Sequence, residues 1–276
     1  MENNKSFITA IIGDIAGSKY EWNNAKKRED IRFFKEGSRL TDDSVLTLAV
    51  ADWLVCSNGS DALNEKEKNE KSLAKYLKKY ATRYPYARYG RMFRKWAFDK
   101  YDFQPFNSFG NGSGMRCSPV AYVAKTKEEV LELAKMSAEV THNHEEGIKG
   151  AQAIALSIFM ALNGSTKSEI KKEVEDRFGY NLDRKVNDIH WSHAFDATCQ
   201  VTVPEAIIAF LESTDYESAL ENAIYIGGDS DTIACMAGAI AGAFYDDIPE
   251  DYINYAKPKM DKQQLLVLEN FEKKFL

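Results

Sequence analysis

Ile226-Gly227-Gly228-Asp229-Ser230-Asp231-Thr232 constrains this chain more than any other stretch. Two successive glycines free the backbone for a sharp turn at little steric cost. Three oxygen-bearing side chains, Asp229, Asp231 and Thr232, follow at once. The run from Ile233 to Phe244 is almost wholly apolar and rich in Ala and Gly, which predicts a buried helix closely approached by its neighbours. Asp-x-Asp-Thr offers the hard oxygen donors that Mg²⁺ and similar cations prefer. The carboxylates are therefore expected where a turn enters a central helix, on the floor of a site.

A second stretch has the same design. Thr41-Asp42-Asp43-Ser44 precedes Val45, Leu46, Leu48, Ala49, Ala51, Trp53 and Leu54, a helical apolar pattern. Taken alone, each cluster reads as ordinary capping, with Thr or Asp at an N-cap and acid in the first turn. Two oxygen clusters that each open an apolar helix suggest that the helix starts meet and share one or two divalent cations.

Helical periods dominate the rest of the chain and no alternating strand pattern stands out. Leu73 to Tyr84, Glu128 to Val140, Gly147 to Leu162, Lys167 to Phe178 and Tyr216 to Ile226 read as helices, with another opening at Pro204. Met92, Trp96 and Phe98 suggest a short one. Ser57 to Ser72, with its Asn-Gly and Lys/Glu run, reads as an exposed and mobile connection. Pro249 to Leu276 is amphipathic and is expected on the outside. Phe109 to Met115 contains a glycine-rich turn, Gly110, Gly112 and Gly114, without the Gly-Lys-Ser/Thr of a P-loop. Its backbone N–H groups suit a pyrophosphate, and Phe106 or Phe109 an adenine ring. An ordinary polar turn wrapped by aromatics is the plainer alternative. The expected fold is all-α, a single compact orthogonal helical bundle spanning residues 1–276 as one domain.

Four separated motifs then agree in order: Gly13-Asp14-Ile15-Ala16-Gly17-Ser18 with Glu21, Thr41-Asp42-Asp43-Ser44, Thr141-His142, and Gly227-Gly228-Asp229-Ser230-Asp231-Thr232. Together they resemble the ADP-ribosylglycohydrolase family, over about residues 8–248. The resemblance implies that the β-branched Ile8–Ile12 run is helix rather than strand. It implies a central dinuclear cleft holding two Mg²⁺ (or Mn²⁺) on Glu21, Thr41, Asp42, Asp43, Asp229, Asp231 and Thr232. Asp14 would orient that set by hydrogen bonds. Substrate would contact Phe109, Gly110, Asn111, Gly112, Ser113, Gly114, Met115 and His142. The implied reaction is hydrolysis of the glycosidic bond between ADP-ribose and an acceptor, a protein side chain such as arginine or serine or a small molecule, with Asp42 or Asp43 as base. Two alternatives use the same residues: a non-catalytic ADP-ribose or nucleotide-binding module, and a metal-dependent phosphohydrolase.

A net charge of −6 argues against a nucleic-acid or membrane-surface partner. Cys56, Cys117, Cys199 and Cys235 are scattered, which favours reduced thiols in a cytoplasmic protein over disulfides or a zinc site. The apolar run from Phe7 to Ile12 is too short to span a membrane and lacks a signal-peptide pattern. His190 and His193 have spacing that zinc can use, but no Cys or acid motif beside them, so packing or local hydrogen bonds are expected there.

Overall fold

The computed structural model describes residues 6–192 and 194–276. In chain order the helices are α1 (Ile8–Gly17), α2 (Asp42–Ser57), α3 (Lys66–Arg83), α4 (Arg91–Phe98), α5 (Gly112–Met115), α6 (Ser118–Val123), α7 (Lys127–Glu139) and α8 (Glu145–Leu162). They continue with α9 (Lys167–Phe178), α10 (Val186–Ser192), α11 (Cys199–Leu211), α12 (Tyr216–Ile226), α13 (Ser230–Phe244), α14 (Glu250–Ala256) and α15 (Lys262–Phe275). No β-strand forms among the described residues; Gly110 and Thr198 make an isolated antiparallel bridge. The all-α expectation holds, including the helix at Ile8–Gly17. No helix among the described residues is long and apolar enough to cross a membrane.

The centre is α13, buried from Ser230 to Ala243. It packs on α1, α12, α11 and α8. The α1–α13 crossing is close because glycine faces backbone there. A Cβ at Gly13 would lie 2.1 Å from the Ala234 carbonyl oxygen, and one at Gly17 would lie 2.5 Å from Asp231 Cα. Small residues on both helices thus set the depth at which Asp14 and Asp231 approach each other.

Two expectations are corrected. Ser57 to Ser72 is largely solvated, as expected, but it is helical rather than an irregular connection. Asn58, in the left-handed region, closes α2; a 3₁₀ segment, Gly59–Glu65, buries Gly59 and Ala62; and α3 already begins at Lys66. The Lys/Glu run is a solvated helix start, with Lys66 bonded to Glu139 at 3.1 Å and paired with Glu70 at 3.6 Å. The helix assigned to Pro204 begins earlier, at Cys199, with Pro204 inside it. Val201-Thr202-Val203 looks extended by propensity, but burial of the segment overrides that preference. The chain end packs on the outside by one apolar face, as expected. α15 packs on α2, and Phe271 is fully buried edge-on to Phe7 at 5.0 Å, worth about 1.5–3 kcal/mol of apolar burial.

A carboxylate cleft between three helix ends

The site is assembled from the C-terminal half of α1, the loop after it, and the N-termini of α2 and α13. Asp14, wholly buried on α1, holds the start of α2. Its Oδ2 accepts from the backbone N–H groups of Thr41 (2.9 Å) and Ser44 (3.1 Å), and its Oδ1 accepts from Thr41 Oγ1 (2.7 Å). Ser44 Oγ donates to Oδ2 as well. A carboxylate thus supplies the partners that the first turn of a helix lacks. Thr41 Oγ1 also lies 3.1 Å from Asp43 Oδ2. Across the cleft, Gly227 and Gly228 take positive φ of 91° and 66°, a turn that delivers Asp229 to the start of α13. The Asp229 side chain does not cap α13; its Oδ2 accepts from Asn111 Nδ2 at 2.7 Å.

The outcome is two groups of carboxylates sharing Asp231. Oxygens of Asp14, Asp43 and Asp231 lie within 4.8 Å of one another, as do oxygens of Glu21, Asp229 and Asp231. Burial, then the charges of neighbouring aspartates, pushes Asp42, Asp43 and Asp231 well above the ordinary carboxylate range. Burial also raises Asp14, against the opposing hydrogen bonds from Ser44 and Thr41. Burial and then Asp229 raise Glu21, against the pull of Arg88, whose Nη1 donates to it at 2.7 Å. Asp43 Oδ1 is buried with no hydrogen-bond partner among the described residues. An all-oxygen donor set, mutual repulsion and an orphaned buried carboxylate oxygen together fit a divalent cation.

Glu21, Asp42, Asp43, Asp229 and Asp231 line a cleft of about 590 Å³, within the size range of small-molecule sites. Its other walls include Trp22, Arg88, Tyr89, Arg91, Phe93, Phe106, Gly110, Asn111, Gly112, Met115, Arg116, His142 and Phe195. Asn111 N–H donates to the Ala197 carbonyl at 2.8 Å and Cys199 N–H to that of Phe109 at 2.9 Å, which tethers the glycine-rich turn to the start of α11. Trp22 and Phe195 stack at 5.1 Å.

Of the residues expected from sequence, Glu21, Asp42, Asp43, Asp229, Asp231 and Thr232 reach the cleft, as do Gly110, Asn111, Gly112, Met115 and His142. Thr41 is buried behind it, its hydroxyl committed to Asp14. Ser113 and Gly114 are not brought to the cleft: Gly112–Met115 is a helical turn, so successive residues point around its axis. Ser113 Oγ donates to the Gly147 carbonyl at 2.7 Å, and Gly114 packs near Met236 and Val203. Phe109 is absent from the lining and meets His144 edge-on at 5.3 Å. His190 stacks on Tyr225 at 4.0 Å and bonds its carbonyl, while His193 lies outside the described residues. Sequence reading missed Arg116 and Phe195 as lining. Arg116 had a signal: it is the one charge between Gly110 and Ala124.

Residues 5–274 match a family described as ADP-ribosylglycohydrolase. The chain belongs to the ADP-ribosylglycohydrolase family. Its similarity to the human ADP-ribosylhydrolase ARH3 is 28% identity over 54% of this chain and 54% of that one. With the same protein from Gallus gallus it is 26% over 86% of this chain and 83% of the relative. The Rhodospirillum rubrum ADP-ribosyl-[dinitrogen reductase] glycohydrolase is 26% identical over 56% of this chain and 53% of its own. The fold matches a solved ADP-ribosylglycohydrolase-related protein complex with TM-score 0.68 and 21% identity, covering 99% of this chain and 97% of that one. The matched range includes the residues of the acidic cleft.

Proposed function

We propose that this chain hydrolyses the glycosidic bond between ADP-ribose and an acceptor, using one or two divalent cations, Mg²⁺ or Mn²⁺. The observation that carries the reading is the gathering of carboxylates from four chain segments around Asp231. Asp43, Asp229 and Asp231, with Glu21, Asp42 and Thr232 beside them, would hold the cations, and Asp14 and Thr41 would fix the ligand-bearing turn from behind. A bound divalent cation supplies charge neutralisation and a water of lowered pKa. Asp42 is half-buried and lines the cleft; Asp43 is buried beside it. Either carboxylate can accept the proton of an attacking water, and burial strengthens both as bases. The distal ribose would lie over the carboxylates, where departure of the acceptor builds positive charge at the anomeric carbon. The pyrophosphate would lie along Gly110, Gly112 and His142, and Phe106 offers a face to the base. The ADP-ribose part of the substrate is common to every acceptor, whether arginine, serine or a small molecule.

Arginine-linked and serine-linked ADP-ribosyl peptides, incubated with and without EDTA and read by mass spectrometry, test this. Release of ADP-ribose that EDTA abolishes, and that Asp43→Asn lowers by at least about 100-fold, is the expected result. Release of free phosphate would favour a phosphohydrolase instead, and binding without turnover a recognition module.

A further inference from the structure

Arg116 is fully buried, yet it lines the cleft. Its Nη2 donates to the Ser137 carbonyl and to Thr141 Oγ1, both at 2.7 Å. Thr141 Oγ1 in turn lies 2.7 Å from His142 Nδ1. A guanidinium only donates, so the threonine oxygen accepts from it and keeps one proton to give. His142 Nδ1 is the other neighbour of that hydroxyl. If Nδ1 carried a proton, the wholly buried threonine hydrogen would lose its acceptor, a costly arrangement. The hydroxyl therefore donates to Nδ1, and the ring proton sits on Nε2.

Nε2 faces the glycine-rich turn. A Cβ at Gly112 would stand 3.0 Å from it and one at Gly110 3.8 Å, so a side chain at 112 would crowd this nitrogen. The ring is also flanked by Phe106, centroids 5.9 Å apart, and by the Gly147 backbone at its Cβ. The charged group acting on it is Arg116; burial first, and then that positive charge, holds the imidazole well below its ordinary pKa.

We infer that Arg116 and Thr141 are positioning residues that lock His142 as a neutral Nε2–H donor, the form in which it meets the pyrophosphate already placed beside it. The inference rests on the ADP-ribose reading for the ligand's identity. Phosphate is favoured over a sugar hydroxyl because Arg116 lies in the same wall: its Nε and Nη1 are buried without partners, and the groups acting on its charge are the Cys117 and Cys199 thiols rather than carboxylates. An anion is the ligand that such a wall stabilises.

The test uses ¹⁵N-histidine-labelled protein, wild type, Thr141→Val and Thr141→Ser, with NMR of the ring nitrogens and calorimetric titration of ADP-ribose and of adenosine between pH 5.5 and 8. Wild type is expected to show His142 protonated on Nε2 alone throughout. Thr141→Val should lose that single tautomer, weaken ADP-ribose binding by about tenfold with a new pH dependence, and leave adenosine binding unchanged. Thr141→Ser should restore all three. A proton on Nδ1 in wild type, or an unchanged tautomer and affinity in Thr141→Val, would overturn the lock; an equal loss for adenosine would overturn the phosphate assignment. Failure of wild type to bind ADP-ribose would instead strike the ligand reading, and the NMR tautomer would still decide the lock.

Discussion

Asp14 shows how one side chain can shape the site without lining it. It accepts from two backbone and two hydroxyl donors of Thr41 and Ser44. An amide in its place would set an NH₂ against those donors, so Asp14→Asn should cost about 1–3 kcal/mol by denaturant unfolding. Cation affinity should fall as well, because Asp43 rides on the same turn. The clustered carboxylates make a second prediction. With no cation bound, burial and mutual repulsion make Asp42, Asp43 and Asp231 bind protons more tightly in the folded chain than in the unfolded one. Their contribution to stability is therefore complete below the unfolded carboxylate value, about 4, and is lost as pH rises through the raised folded values. Metal-free protein should melt at progressively lower temperature from pH 5.5 to 8. Saturating Mg²⁺ should flatten that slope; equal slopes with and without Mg²⁺ would show that the cluster holds no cation. Individual acids were legible in the sequence because each motif opens an apolar helix. Asp14's partners lie 27 and 30 residues away, so its hydrogen bonds were not.

Helices α1 and α13 are the elements that set the site's depth. Methylating Gly17 would drive a Cβ into the Asp231 backbone, which cannot rotate aside as a side chain can. Gly17→Ala should destabilise by about 1–3 kcal/mol and weaken cation binding, seen together in thermal melts with and without Mg²⁺. Gly164→Ala is the control: nothing lies near its Cβ position, and its φ of 77° confines any cost to local backbone strain. Element type was readable wherever a helical apolar period ran long, as in α7, α8 and α12. Boundaries were lost where local signals competed with burial. Lys66 to Lys71 looked like a solvated linker because its charges face water, and Pro204 looked like a helix start because proline is at home in a first turn. At Gly112–Met115, glycines that suggested an open turn instead form a helical turn, which sends Ser113 and Gly114 away from the ligand side.

At the scale of the molecule, the bundle brings together acids from the α1–α2 region and from α13, chain segments about 190 residues apart. The pattern of motifs made that convergence legible, since each cluster by itself reads as a helix cap. The lining of the rest of the cleft was less legible. Phe195 and Arg116 come from segments whose local sequence carries no shared signature, and only packing places them together. The central claim is that this convergence cages divalent cations at Asp231. Crystals of the protein grown with Mn²⁺ and measured for anomalous scattering test it most directly. One or two strong anomalous peaks among Asp43, Asp229 and Asp231, lost in Asp231→Asn, are the predicted result; a cleft without a peak at saturating Mn²⁺, or peaks confined to the surface, would contradict it.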